Sequence, residues 1–170
     1  GHDLNVGVNY SDDTWMFNAS LGVTPQRRTI DRKVGKLYAD TAMNMIDFQP
    51  MIWMSWRKKE MRVSLNYNGN TRQPSLSDLM PLTDNSNPLY ITRGNPDLKQ
   101  MFSHNIRLNF QNSPKGISAN LGGQVEQNSV TQVMIYDVQT GGRETYPVNI
   151  NGNWNLSGGL AGGNVLDISL

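Results

Sequence analysis

Cysteine is absent from the chain, and histidine occurs only twice, as His2 and His104. The first absence removes disulfides, thiolate zinc sites and a cysteine nucleophile together. The second leaves any Ser-His-Asp set dependent on His104, because Gly1-His2 reads as a tag scar. Charged residues make up 17% of the chain and nearly cancel at a formal +1, so no clustered basic face for nucleic acid is expected. The longest basic cluster, Arg57-Lys58-Lys59, reads as a charged turn. No run of about 18 apolar residues occurs, so no transmembrane helix is encoded. No secretory leader pattern opens the sequence. HExxH, a GxGxxG ahead of a helix and a Walker sequence are missing too. No catalytic residue, cofactor site or metal site is expected, and the chain is read as not an enzyme.

Leu-rich helical periodicity is also missing, and period 2 takes its place. Leu4, Val6, Val8 and Tyr10 alternate with Asn5, Gly7 and Asn9. Trp15, Phe17, Ala19, Leu21 and Val23 alternate with polar or small residues, and Val63, Leu65 and Tyr67 do the same. Phe102, Ile106, Leu108 and Phe110 share a face that only His104 interrupts. Such spacing puts one apolar face on each strand. Eight strands are expected, at 3–10, 14–23, 48–57, 62–69, 101–112, 117–138, 144–160 and 164–170, paired sequentially and antiparallel. The fold class is all-β, an antiparallel up-and-down meander. The apolar set is odd from Ile117 to Val125 and even from Val130 to Tyr136. A β-bulge near Gln127 to Ser129 would restore the parity, since it adds one unpaired residue. Trp53 and Trp56 fall on opposite faces, so no single-face reading of their strand is available.

Connections alternate between short and long. Ser11-Asp12-Asp13, Arg57 to Glu60 and Asn112 to Gly116 read as tight turns; in the last, Pro114 sets φ and Gly116 supplies a positive φ. Residues 24–47, rich in Lys and Arg, and residues 70–100 read as long connections, and Thr140-Gly141-Gly142-Arg143 as the tip of a long hairpin. A barrel in the outer membrane has short periplasmic turns and long extracellular loops, whereas a soluble Greek-key sandwich has no reason to alternate this way.

The stretch from Tyr67 to Gln100, YNGNTRQPSLSDLMPLTDNSNPLYITRGNPDLKQ, is too patterned for disorder. Ser75 can cap a turn through Leu79 that Pro81 would end, and Asn95-Pro96-Asp97-Leu98 carries a second single-turn signal. Arg72-x-Pro74-Ser75 after one strand and Gly94 to Lys99 before the next resemble the corresponding segment of outer-membrane receptors of the TonB-dependent type, in the form common in Bacteroidetes. The resemblance implies that residues 1–170 are an internal or C-terminal-half segment of a barrel of about 22 strands with a plugged lumen. It further implies contact with outer-membrane lipid, a nutrient ligand of unknown identity, a plug domain, and a TonB-type energy-coupling protein.

Site residues follow from that reading. Ligand contacts are expected from 24–47, 70–100 and 139–143, with Arg107 and Asn109 lining the lumen. Arg72 and Arg93 are the candidate contacts to ligand or plug, as planar, permanently charged donors. In the alternative, both arginines pair with Asp78, Asp84 or Asp97 and only order the loop; those aspartates could also hold calcium. The Gly94–Lys99 motif reads as a fixed lead-in to its strand, and His104 as surface or lumen-facing. A soluble or surface-exposed β-domain that binds carbohydrate or protein is the other reading, and a hydrolase using Glu126 and Asp137 a third. Alone, a barrel segment is expected to curl into a small closed or flattened sheet, or to pair its sheet edges with a second copy.

Overall fold

A computed structural model of the chain describes residues 3–34, 37–80, 83–84, 86–162 and 165–169. Among these, twelve strands form two sheets. Eight build the larger sheet: β1 (Leu4–Ser11), β2 (Trp15–Val34), β3 (Leu37–Lys58), β4 (Met61–Arg72), β7 (Met101–Asn112), β8 (Ile117–Gln127), β11 (Asn153–Gly162) and β12 (Val165–Ser169). They neighbour one another in chain order and every pair is antiparallel, as the meander requires.

Register turns the sequence alternation into two faces. One row across the sheet runs Val8, Ala19, Ile52, Tyr67, Ile106, Gly123, Leu156, and the next Tyr10, Phe17, Met54, Leu65, Leu108, Leu121, Gly158. On the opposite face the rows read Gly7, Ser20, Met51, Asn68, Asn105, Gln124, Asn155 and Asn9, Asn18, Trp53, Asn66, Arg107, Gly122, Ser157. The apolar side chains are left bare: Val8 is 63% exposed, Ile106 51% and Leu156 66%. Burying one such side chain contributes about 1.5–3 kcal/mol, so a face of this size needs an apolar solvent. Strand lengths of 10–12 residues in β4, β7, β8 and β11 match the roughly 9–11 that a tilted strand needs to cross a bilayer. The two tryptophans are thereby separated. Trp56 joins Trp15 on the apolar face, ring centroids 6.3 Å apart, while Trp53 lies in a polar row.

The two ends of the sheet differ. At the short end, Asp12 accepts hydrogen bonds from the backbone N–H of Thr14 and Trp15, each 2.7 Å. The β3–β4 turn places Lys59 at φ 54, and Gly116 sits at φ 58 as expected. At the other end, residues 24–34 and 37–47 are strand and not loop. β2 and β3 stay paired from Trp15↔Trp56 to Val34↔Leu37. The ladder persists there while the alternation fades, because backbone beyond the bilayer needs no apolar face. The sheet does not close on itself: β1 pairs with β2 and β12 with β11, and no other partner exists for them among the described residues. Of the expected ways to hide the edges, closure by curling is not seen among the described residues, and both edges of the larger sheet stay open.

The smaller sheet has the order β5 (Thr83–Asp84), β6 (Tyr90–Arg93), β10 (Arg143–Ile150), β9 (Ser129–Tyr136). The expected strands 117–138 and 144–160 are thus each two strands, shared between the sheets. The bulge expected near Gln127 to Ser129 is not present. Glu126 faces Asn153 and Ser129 faces Ile150, so two residues separate the ladders on each strand and neither strand gains one. The ribbon instead kinks across both strands, through positive φ at Asn128 (54°) and Gly152 (100°). The parity change follows because beyond the kink the apolar side faces protein. A parallel pair, β6 with β10, was not foreseen.

That protein neighbour is a small core of Leu79, Met80 and Leu98, with Met45 and Val130 packed against it. Leu79 lies in the single helical turn α1 (Leu76–Leu79), where Ser75 Oγ accepts from the Asp78 N–H at 3.1 Å and donates to Asp78 Oδ2 at 2.6 Å. Pro81, the expected terminator, lies outside the described residues. Gly94 must be glycine, since a Cβ there would lie 1.9 Å from the Met80 carbonyl oxygen.

Two outcomes are expected. Gly94→Ala opens the cap formed by 73–100 and exposes it to limited proteolysis while the heat stability of the barrel is kept; equal cleavage of variant and parent would contradict the packing. Lys59→Gly relieves a left-handed non-glycine residue and raises stability by about 1 kcal/mol, read as a higher barrel melting temperature.

Candidate functional site

The polar face carries a hydrogen-bonded amide network. Gln124 Nε2 donates to Glu126 Oε1 at 3.0 Å, Asn155 Nδ2 to Gln124 Oε1 at 3.3 Å, and Asn109 Nδ2 to Ser64 Oγ at 3.4 Å. Ser129 Oγ donates to Glu126 Oε2 at 3.0 Å, tying the polar face to the kink. Two clefts open on this face. One, of about 600 Å³, is lined by Trp53, Asn66, Arg107 and Asn109, which places Arg107 and Asn109 on the polar face. The other, of about 580 Å³, takes Arg72, Asn70, Gln49 and Glu126 at the end next to the cap. A face of amides and hydroxyls with few charges can hold polar groups by hydrogen bonding while leaving the field weak.

The two candidate arginines have different surroundings. Arg72 ends β4 on the polar face, and its guanidinium makes no ion pair among the described residues. Arg93 is engaged: its Nε lies 2.6 Å from Glu144 Oε1, and its guanidinium stacks 4.5 Å from the Tyr146 ring centre. The mirror contact puts Arg143 over Tyr90 at 4.6 Å. The pairing of Arg93 with a loop aspartate is therefore corrected to pairing with β10, because the parallel β6–β10 register brings Arg93 beside Glu144 and Tyr146. Asp78 serves the Ser75 cap and accepts from Gln132 Nε2 at 3.2 Å. Asp84 accepts from the Ser86 N–H at 3.0 Å in its own turn. Among the described residues no group of three or more His, Asp or Glu gathers as a metal site. Glu126 sits on the polar face and Asp137 at the hairpin tip, so the structure does not bring this pair together.

His104 is placed on the apolar face, not in the lumen. Tyr67 Oη is 3.0 Å from its Nδ1, and the Phe102 ring meets it edge-on at 4.7 Å. Gly69 is its cross-strand neighbour, and the Phe102 ring fills the space that a Gly69 side chain would need.

Asn149 escaped the sequence reading. Its Oδ1 accepts from the Lys99 N–H at 2.7 Å, and its Nδ2 donates to the carbonyls of Lys99 (3.0 Å) and Asn128 (2.8 Å). Asn95 Nδ2 reaches the Pro147 carbonyl at 3.0 Å. The Gly94–Lys99 motif is thus a fixed lead-in, held by β10 and by the kink. Only the run of asparagines hinted at this, and asparagine marks turns just as well.

At the hairpin tip, Asp137 accepts from Thr140 Oγ1 at 2.7 Å and from the Gln139 N–H at 2.8 Å. These bonds, the Thr140 hydroxyl first, hold its carboxyl below the usual carboxylate range.

Comparison with known proteins was made on sequence and on fold. The profile described as outer membrane protein beta-barrel family matches residues 6–163. Comparison with curated protein sequences gives no match. Among solved structures, the chain is similar to a double mutant of the Serratia marcescens hemophore receptor HasR in complex with its hemophore HasA and heme. That likeness has a TM-score of 0.58 at 15% identity, over 93% of this chain and 31% of the receptor, and it speaks for the fold alone.

The tip generates a pH prediction. The folded carboxyl titrates below its unfolded value of about 3.9, so its contribution is complete above that value and is lost as pH falls through the folded one. The protection of the Gln139 and Gly141 amides, taken relative to the intrinsic exchange rate at each pH, should fall on acidification below about pH 4. Asp137→Asn should remove that dependence; an unchanged acid response in the variant would contradict the assignment.

Proposed function

The chain belongs to the outer membrane protein beta-barrel family, and from that premise we propose that it forms part of a bacterial TonB-dependent receptor, of the Bacteroidetes type, that takes up a nutrient. One observation carries the reading. The connections at one end of the barrel sheet converge on a single buried cluster, Leu79, Met80, Leu98, Met45 and Val130, beside a polar cleft. A barrel serving only as an anchor has no need of a folded cap there. Recognition carried by loops on a rigid scaffold is the ordinary arrangement for receptors. The hemophore receptor with a similar fold is in complex with heme and a protein, which agrees with a receptor role.

In this reading the apolar face meets outer-membrane lipid, and the polar face meets a plug domain or the passing ligand. The plug and the energy-coupling protein are proposed partners in the same assembly; this chain spans 31% of the receptor it resembles. A soluble carbohydrate- or protein-binding domain is disfavoured by the bare apolar rows. Arg72 is the residue proposed to touch ligand or plug. Arg93, already stacked and paired, is proposed to brace the cap.

The test uses the full-length protein in its native host. Deletion of the gene and growth on single limiting nutrients identify the cargo. Arg72→Ala should then lower uptake about tenfold at unchanged surface expression. Arg93→Ala should raise protease sensitivity of the cap with a smaller effect on uptake, since an exposed pair of this kind contributes about 0–1 kcal/mol. Normal uptake with Arg72→Ala removes that residue from the site, and a deletion strain without any growth defect overturns the transport reading.

A further inference from the structure

β9 is an edge strand that nothing defends. In the smaller sheet it pairs on one side only, with β10, and among the described residues no hydrogen bond reaches its other side. Its sequence, SVTQVMIY, contains no charge, no proline and no glycine. Edge strands are ordinarily protected by lysine, proline, a bulge or brevity, because a free row of N–H and C=O groups templates another strand. β9 has none of these protections over eight residues. Its outer half is bare, with Met134 41%, Ile135 47% and Tyr136 68% exposed.

Which backbone groups face outward can be read from three contacts. The Asp137 N–H donates to the Gly142 carbonyl at 2.8 Å, so that pair, one step beyond Tyr136↔Arg143, is bonded across the ribbon. In an antiparallel ladder bonded and non-bonded pairs alternate. The even residues of β9 therefore turn their N–H and C=O away from β10. Their partners agree: Arg143 spends its N–H on the Leu89 carbonyl at 2.9 Å, and Pro147, which has no N–H, turns its carbonyl to Asn95. Val130, Gln132, Met134 and Tyr136 thus present a free row of alternating donors and acceptors. The row lies beyond the kink, past the 11 residues of β8 that suffice to cross the bilayer.

We infer that the free edge of β9 binds an extended polypeptide segment of a partner, which adds to the smaller sheet as a fifth strand. The edge itself identifies the occupant's chemistry. Only a peptide backbone supplies acceptors and donors at the matching spacing, and an uncharged edge favours a segment with apolar residues at every second position. Main-chain bonds supply the affinity, and contacts with Met134, Ile135 and Tyr136 supply the preference. This inference rests on the barrel placement and not on nutrient uptake, so each can fail alone.

The test uses the full-length protein in detergent and two fluorescent octapeptides of alternating Thr and Val. One is unmodified; the other is N-methylated at alternate amides on the edge-facing side. The unmodified peptide should bind and the methylated one should bind at least tenfold more weakly. Bound peptide should slow amide exchange at Met134 and Tyr136, with little change at Val133 and Ile135, whose amides are already in the β9–β10 ladder. Met134→Lys should abolish binding, and Met134→Pro should do so while leaving the ladder intact, because its N–H faces the free edge. Equal binding of the two peptides, binding of neither, or protection confined to the odd residues would overturn the inference. A protein dimer that Met134→Lys dissociates, with no peptide bound, would assign the edge to a second copy instead.

Discussion

One constraint organises this molecule: a single layer of sheet separates an apolar surrounding from a polar one. Strand side chains alternate with period 2, so each strand must carry both chemistries at once. Rows such as Val8 to Leu156 and Gly7 to Asn155 are the outcome, and every other element is placed relative to them. A soluble domain of this length gathers its apolar residues inside. Here, among the described residues, the buried hydrophobic core is Leu79, Met80 and Leu98 in the cap, and the barrel sheet buries little until lipid covers it.

Where ladders end, side chains take over backbone duties. Thr71 Oγ1 accepts from the Phe48 N–H at 2.8 Å and donates to the Phe48 carbonyl at 3.1 Å. Asn149 does the same for both backbone groups of Lys99. Thr71 acts beyond the end of the β3–β4 ladder, and Asn149 beside the kink. The cap is anchored by Asn149, by Asn95 and by the Gly94 contact, with a small apolar core at its centre.

Much of the sheet was legible because hydrocarbon demands a strict pattern. Strands β1, β4 and β7 stand within a few residues of where alternation alone placed them. Legibility failed where that demand lapses. Residues 24–34 and 37–47 lack the apolar alternation of the other strands, so their paired strands read as loop. The parity change after Val125 was visible, but one inserted residue and a change of surroundings produce the same signal; only the unbroken register separates them. The site was less legible still. Arg93 was singled out for its chemistry, yet its partner Glu144 is 51 positions away, beyond the reach of local pattern.

The register that survives the kink bears on how such a protein can change length. Because the ladders on either side of Asn128 and Gly152 share one alignment, a residue added to one strand beyond the kink must be matched on the other or the faces of β9 and β10 part company. Insertions in this ribbon are therefore tolerated in matched pairs, or within the tip between Asp137 and Gly142, beyond the last bonded pair. The sheet below the kink takes no part in that bookkeeping. The cap can be lengthened, shortened or exchanged while the membrane-spanning strands keep their alignment, which makes the Asn128–Gly152 kink a natural joint for grafting one cap onto another barrel.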